Sequence, residues 1–157
     1  MSGGGFAGRR KEEASHRPAP AGRGKTRPEK SVAVESLVIR QPAGAPVQAF
    51  PWGAIKWLSN AELQPGCEQT LGLVFINPGQ SNGTHLHPNC EELLYVISGE
   101  CEHSLENETF LLRAGDALRV PRGRRHGAVN RGWEPVRLLV CYSSPRRETE
   151  GVEHKAS

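Results

Sequence analysis

The sequence predicts an all-β protein whose short strands form a sandwich or a barrel. From Gln69 onward, short apolar runs alternate with turns rich in Gly, Pro, Asn and Asp, and no long helical period appears. At 157 residues the chain has room for one domain. Predicted strands cover residues 70–76, 84–87, 92–98, 101–105, 109–113, 117–120, 126–130 and 136–142.

The strand pattern is sparser before Gln69. Candidate strands occupy residues 36–40, 47–50 and 52–57. One helical turn is expected at 59–63, where Ser59 or Asn60 is placed to cap it. The folded domain is predicted to span residues 33–145.

Both ends of the chain are predicted to lie outside this domain. Residues 1–32 are rich in Gly, Pro, Ala and Arg and nearly lack large apolar side chains, which predicts a disordered tail. Residues 1–30 carry eight Lys or Arg against three Glu, so the rest of the chain, within a total of +3, carries −2. Nucleic-acid binding is not favoured, because no aromatic residues alternate with the basic ones. Residues 146–157 are charged and are predicted to fray.

The composition favours one cellular compartment over others. No run of 18 apolar residues is present, so no membrane span is predicted. The first residues lack the apolar segment of a secretory signal. The four cysteines form no CxxC pair, which predicts reduced thiols and a cytoplasmic protein.

The residues that carry chemistry are His85, His87, Glu92 and His126. Residues two apart on a strand point to one face, so His85 and His87 are expected to enter one barrel interior together. Glu92 begins the apolar run 92–98, where a carboxylate is costly unless it is paired or bound to a cation. Three imidazoles and one carboxylate suit a divalent transition metal such as Fe, Mn, Zn, Ni or Co.

Two blocks of the chain resemble the two motifs of the cupin superfamily. The first is Gly79, five residues, His85-Leu86-His87, four residues, Glu92, six residues, Gly99. The second is Gly115, five residues, Pro121-Arg122-Gly123, two residues, His126, three residues, Asn130. Glu91 fits a looser form of the first motif, but Glu92 has the expected spacing to Gly99, so Glu91 is expected to lie outside the barrel.

The resemblance implies a double-stranded β-helix, or jelly-roll, cupin barrel with a disordered N-terminal tail. It also implies one metal held by His85, His87, Glu92 and His126; the alternative is a metal-free barrel that keeps these residues as a hydrogen-bonded cluster. Small microbial cupins of this kind include dioxygenases, decarboxylases, lyases, isomerases and polyketide cyclases. The expected function is therefore a metal-dependent enzyme acting on a small keto acid, enol or polyketide-like compound. The alternative is a non-catalytic cupin that binds a small ligand, since fold alone does not select a reaction.

A few further residues carry weaker predictions. His103 is a candidate proton carrier beside the metal, and the alternative is a histidine hydrogen-bonded away from the site. Arg119 is expected to face outward rather than bind substrate. Leu93, Tyr95 and Ile97 share the face opposite Glu92, and an apolar outer face predicts a homodimer.

Overall fold

The computed structural model describes residues 42–151. The predicted tail at 1–32 and the predicted strand at 36–40 lie outside the described residues. A 3₁₀ turn at Pro42–Gly44 precedes eleven strands in the described part of the chain. The strands are β1 (Val47–Phe50), β2 (Gly53–Ser59), β3 (Thr70–Ile76), β4 (His85–Leu86), β5 (Glu92–Ser98), β6 (Glu100–Leu105), β7 (Glu108–Arg113), β8 (Ala117–Val120), β9 (His126–Val129), β10 (Val136–Tyr142) and β11 (Glu150–Gly151).

The strands form two antiparallel sheets. One has the order β1-β2-β3-β10-β5-β8 and the other has the order β11-β4-β9-β6-β7. Strands distant in sequence are neighbours in both sheets: β10 lies between β3 and β5, and β9 lies between β4 and β6. The predicted all-β jelly-roll is confirmed.

The core lies on the inner faces of the sheets. Alternate residues of β3, β5 and β10 point inward, as the period of two requires. Burying each large aliphatic side chain contributes about 1.5–3 kcal/mol. The large aliphatic side chains of the core with almost no exposure include Ile76, Val96, Val136, Leu138 and Val140.

The outer face of β5 is exposed in the single chain, although residues 93–97 form a continuous apolar run. In the structure Leu94 and Val96 are buried, whereas Leu93, Tyr95 and Ile97 are 51%, 45% and 37% exposed. Composition cannot report this difference, because an apolar side chain has the same sequence signature whether or not a neighbouring layer covers it.

The predicted helical turn after β2 is present only as a hydrogen-bonded turn. Asn60 Oδ1 accepts hydrogen bonds from the backbone N–H groups of Glu62 and Leu63, at 3.0 and 2.9 Å. Asn60, rather than Ser59, is therefore the capping residue. Over residues 42–151 no helix is long and apolar enough to cross a bilayer.

Glycines of the two motifs lie in turns and have backbone conformations that other residues rarely adopt. Gly99 joins β5 to β6 with φ of 81°, and Gly123 precedes β9 with φ of 72°. Both values lie in the left-handed region that glycine tolerates best. Gly123 N–H also donates to the His87 carbonyl oxygen at 2.9 Å, which links the two motifs directly.

Candidate metal centre

The four predicted ligand residues meet inside the barrel, where the two sheets face each other. His85 lies on β4, His87 follows β4, Glu92 begins β5 and His126 begins β9. One nitrogen or oxygen atom from each residue lies within 4.8 Å of those of the others. His87, Glu92 and His126 are buried, and His85 is half-buried. The sheets therefore contribute jointly to one compact cluster of nitrogen and oxygen donors.

Backbone carbonyl groups orient all three rings. The Nδ1 atom of each ring faces one carbonyl oxygen: Gly83 at 3.0 Å from His85, Glu148 at 2.7 Å from His87, and Arg124 at 2.9 Å from His126. A carbonyl oxygen only accepts hydrogen bonds, so each Nδ1 is assigned the proton. A neutral ring then keeps its lone pair on Nε2. Histidines that bind metals are commonly held in this way by their second nitrogen.

The Nε2 atoms of two rings face the carboxylate. Glu92 Oε2 lies 3.2 Å from His87 Nε2 and 3.1 Å from His126 Nε2. With both Nδ1 atoms protonated, the neutral rings would direct lone pairs at an acceptor oxygen. That arrangement is repulsive unless a proton or a cation lies between the atoms. A divalent cation bound between these atoms would remove the repulsion between Glu92 and the two rings.

In the metal-free protein, the pKa shifts reflect the close approach of the Glu92 carboxylate and the histidine rings. Burial, the largest single influence, lowers the pKa of His126, but the hydrogen bond and charge of Glu92 and the Arg124 carbonyl together raise it overall. Burial, again the largest single influence, raises the pKa of Glu92, but the hydrogen bonds and charges of His126 and His87 together hold that pKa well below its usual value. Burial, and then the charge of His126, lowers the pKa of His85 to about 4. Since metal ligands must be deprotonated, an ionised Glu92 and a neutral His85 fit a metal site, and a metal would replace the proton that Glu92 favours on His126.

The two adjacent glutamates have different environments. Glu92 points into the cluster and is 4% exposed. Glu91 lies on the other face of the chain, where its Oε2 accepts hydrogen bonds from Arg119 Nε at 2.9 Å and Nη2 at 2.7 Å. The same ion pair places Arg119 on the outer surface, away from the cluster.

A cavity of about 350 Å³ opens beside the cluster. Its walls combine the cluster with apolar side chains of the core and a few polar groups. The apolar members include Phe50, Trp52, Ile55, Val74, Leu94, Leu138 and Val140. A cavity of this size accepts a small organic molecule.

His103 also lines this cavity. It lies on β6, is 1% exposed, and its ring stacks on His126 with the centroids 5.9 Å apart. Its Nδ1 has no hydrogen-bond partner within the described part of the chain. Burial, and then the charge of His126, lowers its pKa to about 4, so the ring is neutral near pH 7.

The expectation that the chain frays from residue 146 is wrong for residues 146–151. Asn89 Nδ2 donates to the Arg146 carbonyl oxygen at 2.6 Å, and Asn89 Oδ1 accepts from Glu148 N–H at 3.1 Å. Strand β11 then pairs with β4. We call residues 146–151 the C-terminal strap. Its charged composition suggested a solvated tail, but backbone atoms make most of its contacts, and their pairing has no sequence signature. Residues 152–157 lie outside the described residues.

Sequence reasoning also missed two residues of the cavity wall. Tyr142 is buried, and its ring packs edge-on against His87 with the centroids 4.9 Å apart. Arg147, on the strap, contacts the faces of Trp57 and Tyr142. Tyr142 reads as an ordinary strand residue and Arg147 as part of a charged run, so neither carried a signal. Cys90, two residues before Glu92, is a buried thiol, and burial raises its pKa.

Comparisons with known proteins agree with this architecture. Residues 72–142 match the family model described as a cupin domain. Polyketide synthase CurC of Streptomyces cyaneus is 38% identical over 84 residues, which cover 54% of each chain. The tetracenomycin polyketide synthase protein TcmJ of Streptomyces glaucescens is 36% identical over 85 residues, covering 53% of this chain and 57% of that protein. The matches thus span little more than half of these relatives.

A solved structure supports the fold separately. The crystal structure of a Klebsiella pneumoniae protein with a double-stranded β-helix domain aligns with a TM-score of 0.62 at 23% identity. The alignment covers 74% of this chain and 97% of that protein. The fold is a small β-barrel, and the cluster between its sheets fits a metal site. Residues 72–142 of the chain form a cupin domain.

Proposed function

We propose that this protein is a metal-dependent enzyme that acts on a small oxygenated metabolite, of the keto acid, enol or polyketide type. The observation that carries the proposal is the set of three carbonyl-oriented histidines and one buried carboxylate beside a cavity of about 350 Å³. The similarity to two polyketide synthase proteins favours a polyketide-like substrate.

His85, His87, Glu92 and His126 would hold one divalent metal of the Fe, Mn, Zn, Ni or Co group. The metal would supply Lewis acidity toward a substrate oxygen or, with a redox-active ion, electron transfer. The apolar wall would bind the body of the substrate and exclude water from it. Dioxygenase, lyase, isomerase and cyclase reactions all remain compatible with this arrangement.

His103 is the proposed proton carrier. It faces the same cavity as the cluster, and its ring is neutral with one buried nitrogen unpaired among the described residues. A neutral imidazole offers one donor and one acceptor nitrogen, so it can accept a proton from a bound substrate or return one.

The test is metal-dependent turnover of a panel of keto acids, enols and polyketide-like phenols. Chelation is expected to abolish turnover, and one specific metal is expected to restore it. Elemental analysis of the protein from its native source identifies that metal. Binding of panel members with no conversion, under any metal or oxygen condition, would favour the alternative of a non-catalytic ligand-binding cupin.

We further propose that the protein is a cytoplasmic homodimer. All four cysteines are free, which supports a reducing compartment. Exposed Leu93, Tyr95 and Ile97 form part of an apolar outer surface on β5, β8 and β10. A contiguous apolar patch of this kind favours burial against a second copy.

Sedimentation is expected to give about twice the chain mass of 17.1 kDa. Tyr95→Lys should shift the protein to monomer, because a buried lysine in the interface would lack a partner. Leu111→Lys places the same charge at an exposed position of the other sheet and should not alter the mass. A wild-type protein that remains monomeric at high micromolar concentration would contradict the dimer.

A further inference from the structure

Arg147 occupies an unusual position at the entrance to the cavity. It lines both the cavity beside the cluster and an adjoining outer groove of about 320 Å³. Its guanidinium carbon lies 4.9 Å from the centroid of the Trp57 ring and 5.0 Å from that of Tyr142. Contact with two aromatic rings restricts the position of the guanidinium group without neutralising its charge.

Arg147 also differs from four arginines whose charge is paired at the surface. Arg113, Arg119, Arg124 and Arg131 each form an ion pair with a glutamate. No carboxylate within residues 42–151 forms an ion pair with Arg147, whose side chain donates to Thr149 Oγ1. A guanidinium group has five N–H donors, so several remain for a ligand. A positioned arginine with spare donors matches the two oxygens of a carboxylate.

The rest of the cavity complements a small anion with an apolar body. Buried aliphatic and aromatic side chains line the wall beyond Arg147. Among residues 42–151, Glu92 is the single carboxylate residue in the lining, and its carboxylate is engaged by His87 and His126. A divalent metal in the cluster would leave the cavity with net positive charge. A negatively charged group would then be attracted from both ends of the cavity.

We propose that Arg147 is the anion-binding residue of this cavity, and that the substrate is a small organic acid whose carboxylate pairs with Arg147 while its apolar body lies against the barrel wall. This inference names the substrate class of the proposed enzyme and rests on that proposed function for its catalytic meaning. The charge of Arg147 does not depend on the metal, so the anion subsite can be tested with or without a metal.

The experiment compares benzoate with benzamide, a neutral molecule of nearly the same shape. Their dissociation constants are measured by NMR titration for the wild type, Arg147→Gln and Arg147→Lys. Each protein is measured metal-loaded and again after chelation. Arg146→Gln is the matched control, because it removes the same charge from the adjacent exposed position, which does not line the cavity. Melting temperature and metal content are recorded for every variant.

Wild-type protein is expected to bind benzoate about tenfold more tightly than benzamide, because charge-assisted hydrogen bonds are roughly twice as strong as neutral ones. The preference should persist after chelation. It should nearly disappear in Arg147→Gln, weaken in Arg147→Lys and remain in Arg146→Gln, with metal content unchanged.

Three results would overturn the anion subsite: no preference for benzoate in the wild type, an equal preference in Arg147→Gln, or an equal loss in Arg146→Gln. Failure of the wild type to bind benzoate at millimolar concentration would also overturn it. Failure of the proposed enzyme is a separate result, since a wild type that binds no metal can still prefer benzoate through Arg147.

Discussion

Replacing both His85 and His87 by alanine is expected to reduce the bound metal from about one per chain to a few per cent. The substitution removes two of the four clustered donors, including the ring oriented by the strap. Structural zinc sites with four protein ligands bind with apparent free energies of about 10–16 kcal/mol, so losing half of the ligands here should lower affinity by several orders of magnitude. Elemental analysis of the purified protein measures the effect.

The control is His103→Gln, which changes a neighbouring histidine that is not in the cluster. That variant should keep its metal. Circular dichroism should show that the double variant retains the β-sheet signal, because the apolar core does not depend on either ring. Stoichiometric metal in the folded double variant would remove the basis for the metal assignment.

Replacing Glu92 by glutamine is expected to lower both the stability of the protein and its affinity for metal. Leaving one side of a buried charged pair without its partner typically costs about 3–5 kcal/mol of stability. In the metal-free protein, Glu92→Gln removes the negative charge that raises the pKa of His126. In the metal-loaded protein it replaces an anionic donor by a neutral amide, so metal affinity should fall as well. Denaturant unfolding at pH 7, with and without metal, measures both losses.

The effect has a definite pH dependence. The pKa of Glu92 is lower in the folded protein than the ordinary glutamate value of 4.5. Its stabilising contribution is therefore fully present above about pH 4.5 and is lost as the pH falls toward the folded-state pKa. The difference in unfolding free energy between wild type and Glu92→Gln should consequently shrink in acid.

Glu91→Gln is the matched control for this substitution. Its ion pair with Arg119 is at the surface, with side chains 35% and 63% exposed. Surface ion pairs contribute about 0–1 kcal/mol, so Glu91→Gln should unfold almost like the wild type and keep its metal. If Glu91→Gln lost metal and Glu92→Gln retained it, the looser reading of the first motif would be correct.

Much of the strand arrangement follows from local sequence. The predicted limits of β1, β3, β5, β8 and β10 coincide with the observed strands. Apolar residues at alternate positions, bounded by glycines with positive φ, carry this information because side-chain direction alternates within each strand. The turn after β2 was less predictable: Asn60 caps it, but hydrogen bonds alone do not extend it into a helix.

The donors of the candidate site were predictable for a related reason. The spacing of His85, His87 and Glu92 places them in and just after β4 and at the start of β5, which lie in the two facing sheets. Glu92 stands out as a carboxylate at the start of an apolar run. His103 was visible only as a histidine at an inward position. Its unpaired Nδ1 follows from which residues surround it, and those come from other strands.

By itself, the sequence determined the strand pattern, the four donor residues and the choice of Glu92 over Glu91 as the inward carboxylate. Those features depend on side-chain type and on a period of two, which are local. The tertiary structure alone decided that the strap pairs with β4, that the Glu148 carbonyl orients His87, and that Arg147 lies at the cavity entrance. These contacts join residues about 60 positions apart, as in the His87–Glu148 pair. The first two use backbone atoms common to every residue, and the position of Arg147 depends on the path of the strap, so only the folded chain specifies them.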